Sequence, residues 1–157
     1  MARISAEQRR KNKEFLDEIV REIFWEDGWN GVTLDSISER SGFKRSVVQN
    51  YFPTKRDMGE ALRGSVFPVM MEQLDLTNTD EFKISWEVAI RTSLKFRMVV
   101  HMLIANSINE NTNDMTVSGI VRLRKLLSDK WGSEAQAIES IYNVLGMSVV
   151  LLAQDFS

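Results

Sequence analysis

The sequence predicts an all-α fold: a three-helix helix-turn-helix domain over residues 1–54, then a small helical bundle over 55–157. Three observations carry this. Apolar residues recur at three- and four-residue spacing, with no alternating strand-like segment of any length. Only two prolines and eight glycines interrupt 157 residues. Residues 33–55, TLDSISERSGFKRSVVQNYFPTK, place two short helices on either side of a glycine turn. Such a pair cannot bury a core alone and needs a supporting helix. Its usual use is to hold the second helix in a major groove.

Each element has a local reason. The first helix starts at Ser5, which has capping-box spacing to Gln8, and its apolar stripe is Phe15, Leu16, Ile19, Ile23 and Phe24. Gly28 ends it, and Trp29 is expected to pack beneath the motif. Thr33 caps the next helix, with Leu34 and Ile37 inward, and Gly42 breaks it. The short second helix of the motif runs from about Lys44 to Phe52. Thr54 and Asp57 again have capping-box spacing, so a connecting helix is expected over 55–73, kinked or broken by Pro68. Leu74 to Glu81 is a linker. Residues 80–108 read as one long helix or a kinked pair, with Phe82, Trp86, Ala89, Phe96, Val100 and Leu103 on one side. NENTND, Asn109 to Asp114, is a polar loop; one more helix spans about Thr116 to Trp131, and a last one starts at Ser133. The total is seven or eight helices.

Charge is distributed unevenly. The chain is slightly acidic, at -2, yet Lys44 to Arg56 holds four basic residues and no acid. Arg3, Arg9, Arg10, Lys11 and Lys13 stand against Glu7 alone at the N-terminus. A clustered positive patch on an acidic chain localises a phosphate-binding surface. Zero cysteines exclude disulfides, thiolate zinc sites and a cysteine nucleophile. His101 is the only histidine and has no acid partner at ligand spacing. With no phosphate loop, nucleophile elbow or HExxH spacing, no enzyme, cofactor or metal is expected. The N-terminus lacks the apolar core of a signal peptide, and Ile141 to Ala153 is too short to span a bilayer. A cytoplasmic, nucleoid-associated protein without a membrane partner is the expectation.

Phe15 to Met58 resembles the DNA-binding region of TetR/AcrR-type bacterial regulators. The resemblance rests on IFWEDGW, Thr33, Ile37, Ser41-Gly42 and above all Asn50-Tyr51-Phe52-Pro53-Thr54-Lys55. It implies that Thr33 and Lys55 hold DNA phosphates, with Tyr51 flanking. It also implies that the short helix reads bases through Lys44, Arg45, Ser46 and Gln49, beside Asn50; Arg and Gln can pair bidentately with guanine and adenine edges. The chain departs from the family pattern at Lys44, where Ser is usual, at Ser46, where Gly or Ala is usual, and at Gln49, where Tyr is usual. A capping Ser is worth ~1 kcal/mol, a loss that makes sense if Lys44 meets a phosphate. The alternative is a helix start shifted by one residue. Sequence specificity should therefore differ from that of typical members.

Family members pair two subunits through their last helices and bind a small effector in a variable C-terminal half, here about ninety residues long. The final helix has no charge between Glu139 and Asp155. Ile138, Ile141, Tyr142, Leu145, Val149 and Leu152 are candidates for a homodimer interface, with Gly146 and Ser148 permitting close approach. Trp86, Phe96, Arg97 and Met102 are candidates for contact with a small apolar effector, Arg97 as the anchor of an acidic group; the same stripe also reads as plain core. The resulting expectation is a ligand-responsive repressor that binds a palindromic double-stranded operator as a dimer. Two alternatives stand beside it: a DNA-bound adaptor acting on another protein, and a dimerising sensor that has lost DNA binding.

Overall fold

The computed structural model describes residues 3–108 and 114–154 and is all-helical over them. Helix α1 (Ala6–Asp27) begins at Ser5, whose hydroxyl accepts from Gln8 N at 3.0 Å. It buries Leu16, Ile19, Val20, Ile23 and Phe24, the apolar stripe that 3.6-residue periodicity dictates. Phe15 stays partly exposed, its ring 5.9 Å from that of Phe43. Gly28, at φ 80°, ends the helix, and a 3-10 turn (Trp29–Gly31) carries the buried Trp29.

Helix α2 (Leu34–Ser41) is capped at both ends. Thr33 Oγ1 accepts from Ser36 N at 3.0 Å and Ser36 Oγ accepts from Thr33 N, a reciprocal cap. Gly42 closes it in the left-handed region, at φ 78°. Helix α3 (Arg45–Tyr51) starts with Lys44 at its N-cap and no side-chain cap. The departure at Lys44 therefore leaves the helix start unshifted and uncapped. Helix α4 (Lys55–Glu60) has the reciprocal cap that Thr54 and Asp57 predict.

The connecting segment over 55–73 is broken into two helices, the second of the two outcomes that Pro68 implies. After α4 the chain turns through residues 61–65, and α5 (Val66–Gln73) follows. Pro68 explains the break. It lacks the N–H that would bond to Gly64, four residues back, and its ring would crowd that carbonyl. Gly64 leaves the helical region at φ 84°, and Pro68 sits in the first turn of α5, where a missing donor costs nothing. At this break, between Arg63 and Gly64, the chain divides into two compact units.

In the first unit Leu16, Val20, Ile23, Phe24, Val32, Ile37, Val48, Phe52 and Leu62 are fully buried. Arg40 of α2 pairs with Glu26 and Asp27 at the end of α1, and the Arg40 guanidinium holds the exposed Glu26 carboxyl below its ordinary range. Arg21 Nη1 donates to Ala61 O at 3.0 Å, fastening α1 to the end of α4.

The second unit continues with α6 (Thr79–Thr92), α7 (Leu94–Ser107), α8 (Asp114–Trp131) and α9 (Glu134–Leu152). The 80–108 segment is thus a pair, broken at Ser93, whose hydroxyl caps α7 by accepting from Phe96 N at 3.1 Å. α9 packs against both α6 and α8. A run of edge-to-face rings, Trp131–Phe82–Trp86–Phe96, crosses the core at centroid separations of 5.7, 5.7 and 5.0 Å. Trp86 Nε1 donates to Ser148 Oγ at 2.7 Å, and that hydroxyl donates to Val144 O at 2.6 Å. The small Ser148 is therefore an interior contact for α6, where the sequence suggests a surface for a second copy.

Candidate functional site

In the first unit α3 buries Val48 and Tyr51 and turns the rest of its surface to solvent. Lys44, Arg45, Ser46, Gln49 and Asn50 are all exposed, five of the eight residues expected to touch DNA. The turn beneath them is pinned: Ser38 Oγ donates to Phe43 O at 2.6 Å, and Ser41 Oγ accepts from Phe43 N at 3.1 Å. Arg45 Nε reaches across that turn to Asp35 Oδ1 at 2.8 Å. An exposed pair of this kind adds little stability but orients the guanidinium over the outer face of the motif.

Tyr51 is packed inward. Its hydroxyl accepts from Asn12 Nδ2 at 3.1 Å, and the Arg9 guanidinium lies 4.6 Å from its ring centre. It serves as the seat of α3 on α1, and Arg9, Arg10 and Lys13 border the groove beside it. The separation of Tyr51 from Arg9 in sequence hides that cluster from a linear reading.

Lys55 is also placed unexpectedly. The residue is exposed overall, yet its ammonium is tucked against the protein. It donates to Trp29 O at 2.9 Å and to Val32 O, and stands 4.5 Å from the Trp29 ring centre. Burial pushes its pKa down to about 8. The two carbonyls and the indole face favour the ammonium and so act against that shift. Val32 directly precedes Thr33, so Lys55 brings its charge to the start of α2. Thr33 and Lys55 are thereby drawn together at one helix end.

The second unit holds a partly open cavity of about 70 Å³. Met70, Trp86, Met102, Leu123, Ile141 and Leu145 are among its walls, and among the described residues no charged side chain lines it. Of the four expected effector contacts, Trp86 and Met102 line it. Phe96 is fully buried behind Trp86. Arg97 Nη1 donates to the carbonyls of Ile90 and Arg91, at 3.0 and 3.2 Å, at the end of α6. Its guanidinium serves the helix terminus, where orphan carbonyls attract a cation, in place of a ligand acid.

The six expected interface residues of α9 separate in the same way. Ile141 is buried and Leu145 faces the cavity, whereas Tyr142 and Val149 are 73% and 52% exposed. Ile138 and Leu152 are half-buried. Val150, 63% exposed, lies outside these six and shares the exposed side of α9 with Gly146. By length and composition α9, at 19 residues, could cross a membrane; its inner side is committed to the bundle through Ala137, Ile141, Val144, Ser148 and Leu151.

Comparison with known families joins these two halves. Residues 20–62 match the model of bacterial regulatory proteins, tetR family, and residues 63–152 match that of the tetracycline repressor LuxT C-terminal domain. The chain belongs to the TetR family. No curated protein matches it significantly. As a TetR-family member it is a DNA-binding transcriptional regulator built on a helix-turn-helix, not an enzyme. Among the described residues no group of three metal-ligating side chains comes together.

Proposed function

We propose that this TetR-family protein is a ligand-responsive repressor that binds a palindromic operator as a homodimer. The observation that carries the proposal is the exposed face of α3, Lys44, Arg45, Ser46, Gln49 and Asn50, set on a fully buried Val48. That arrangement offers charge for phosphates and bidentate groups for base edges on a rigid support. Thr33 with the Lys55 ammonium forms the phosphate clamp at the start of α2. One short reading helix covers too few base pairs for specificity, so a second copy supplies the other half-site. The exposed Tyr142, Gly146, Val149 and Val150 of α9 form the seam between copies. An effector in the C-terminal cavity acts by binding one subunit spacing better than another and thereby releasing DNA.

The test is a gel-shift titration on the DNA upstream of the protein's own gene, with light scattering on the same samples. Wild type is expected to run as a dimer and to shift that DNA with steep salt dependence, and Gln49→Ala to relax base preference. Val149→Arg places a charge in the seam and is expected to give monomers with at least tenfold weaker binding. A wild-type monomer at micromolar concentration, or a shift indifferent to salt, would defeat the reading.

A further inference from the structure

Among the described residues, Asn106 Nδ2 is the one buried side-chain polar atom without a hydrogen-bond partner, in a residue 5% exposed. Buried amides are almost always paired, so an orphan of this kind asks what completes it. Its position narrows the answer. Asn106 follows Val99 by seven residues, Met102 by four and Leu103 by three, so the four share one face of α7. Val99, Met102 and Leu103 line the cavity. The unpaired donor therefore stands one turn beyond the cavity wall, on the side of the helix that forms it.

Among the described residues the wall carries no charged side chain. Its residues are aliphatic, aromatic, thioether or glycine. A carboxylate taken into such a space without a partner would be expelled by its desolvation cost. Arg97 is held by the Ile90 and Arg91 carbonyls, and the exposed Arg122 lies 4.2 Å from the ring centre of Phe67 without itself lining the cavity. Size adds a second limit, since about 70 Å³ falls well below the roughly 300–1,000 Å³ of drug-sized sites. Three methionines, Met70, Met71 and Met102, give the wall the means to enlarge a little around a compact guest.

We propose that this cavity takes a compact, uncharged, mainly hydrocarbon molecule bearing one acceptor oxygen, and that the methionine-rich wall gives way at the α7 end so that Asn106 Nδ2 donates to that oxygen. The inference rests on reading the C-terminal unit as a small-molecule sensor and specifies the chemistry it senses. Binding satisfies a donor that folding leaves unpaired, so the guest's oxygen gains more than an ordinary exposed hydrogen bond would give.

The test uses the full chain without DNA and three probes of matched shape at pH 7: isopropylcyclohexane, cyclohexyl methyl ketone and cyclohexanecarboxylate. Binding is read from tryptophan fluorescence, because Trp86 lines the cavity. The ketone is expected to bind about tenfold more tightly than the hydrocarbon, and the carboxylate at least about a hundredfold more weakly than the ketone. Asn106→Leu should bring ketone and hydrocarbon to equal affinity, and Asn106→Ala gives the same comparison if leucine disturbs packing. Leu103→Trp, which fills the space from its partly exposed edge, should weaken both neutral probes.

A carboxylate that binds as well as the ketone overturns the proposal. So does a ketone preference that survives at Asn106→Leu, or a folded chain that takes up none of the probes at millimolar concentration. These outcomes are separable from the repressor reading. A chain that shifts operator DNA yet ignores the probes loses only this inference. One that prefers the ketone yet never shifts DNA loses only the repressor.

Discussion

Trp86→Ala is expected to destabilise the C-terminal unit by about 3–5 kcal/mol, the range for deleting a large aromatic from a packed core. Trp86 is 1% exposed, joins two other rings edge to face, and ties α6 to α9 through Ser148. Domains are typically stable by only ~5–15 kcal/mol, so the variant should melt far below wild type or fail to accumulate. Trp86→Phe separates the contributions. It keeps a ring against Phe82 and Phe96 and loses the indole N–H, for an expected cost of about 1 kcal/mol from the hydrogen bond, plus a smaller packing loss. Urea titration followed by circular dichroism measures both. An alanine variant within about 1 kcal/mol of wild type would mean that the bundle closes over the gap.

The second large effect concerns Lys55 and pH. Its folded pKa of about 8 lies below the ordinary lysine value of 10.5. Between those values the folded chain holds fewer protons than the unfolded one, so this residue makes stability rise as pH increases through the window. DNA affinity should move the other way, because the neutral amine can no longer face a phosphate. If binding requires the ammonium, affinity falls about tenfold from pH 7 to pH 9, as the protonated fraction drops to roughly one in ten. Lys55→Met should bind weakly and show a flat profile over the same range, with a salt slope shallower by about one contact. Fluorescence anisotropy on labelled operator at constant ionic strength measures this. Equal pH profiles for wild type and Lys55→Met would remove Lys55 from the interface.

Much of this architecture is legible in the sequence because its cues are local. Ser5, Thr33, Thr54 and Ser133 all cap helices as expected, reciprocally at Thr33 and Thr54 and one way at Ser5 and Ser133, since a cap needs only residues three apart. Stripes such as Leu16-Ile19-Ile23 follow from periodicity alone. What sequence leaves open depends on partners distant along the chain. Helix periodicity puts Ile141 and Tyr142 side by side in one apolar stretch, and only the packing of α6 and α8 decides which of them is interior. Lys55 lies 23 residues from the Val32 carbonyl that captures it, and no spacing rule connects the two. Asn106 reads as a polar residue near a helix end; its burial without a partner exists only in the packed bundle.

The break at Gly64 and Pro68 has a consequence for how such proteins diversify. It coincides with the seam between the two family matches, at residues 62 and 63, so the structural joint and the unit of inheritance are the same place. A short turn made by a glycine and closed by a proline asks little of the sequence on either side. Chimeras joined between Arg63 and Gly64, which keep Ala61 and the buried Leu62 with the first unit, should therefore fold with another member's reading head. The segment gives laboratory recombination, as it would natural shuffling, a point at which to exchange address and stimulus independently.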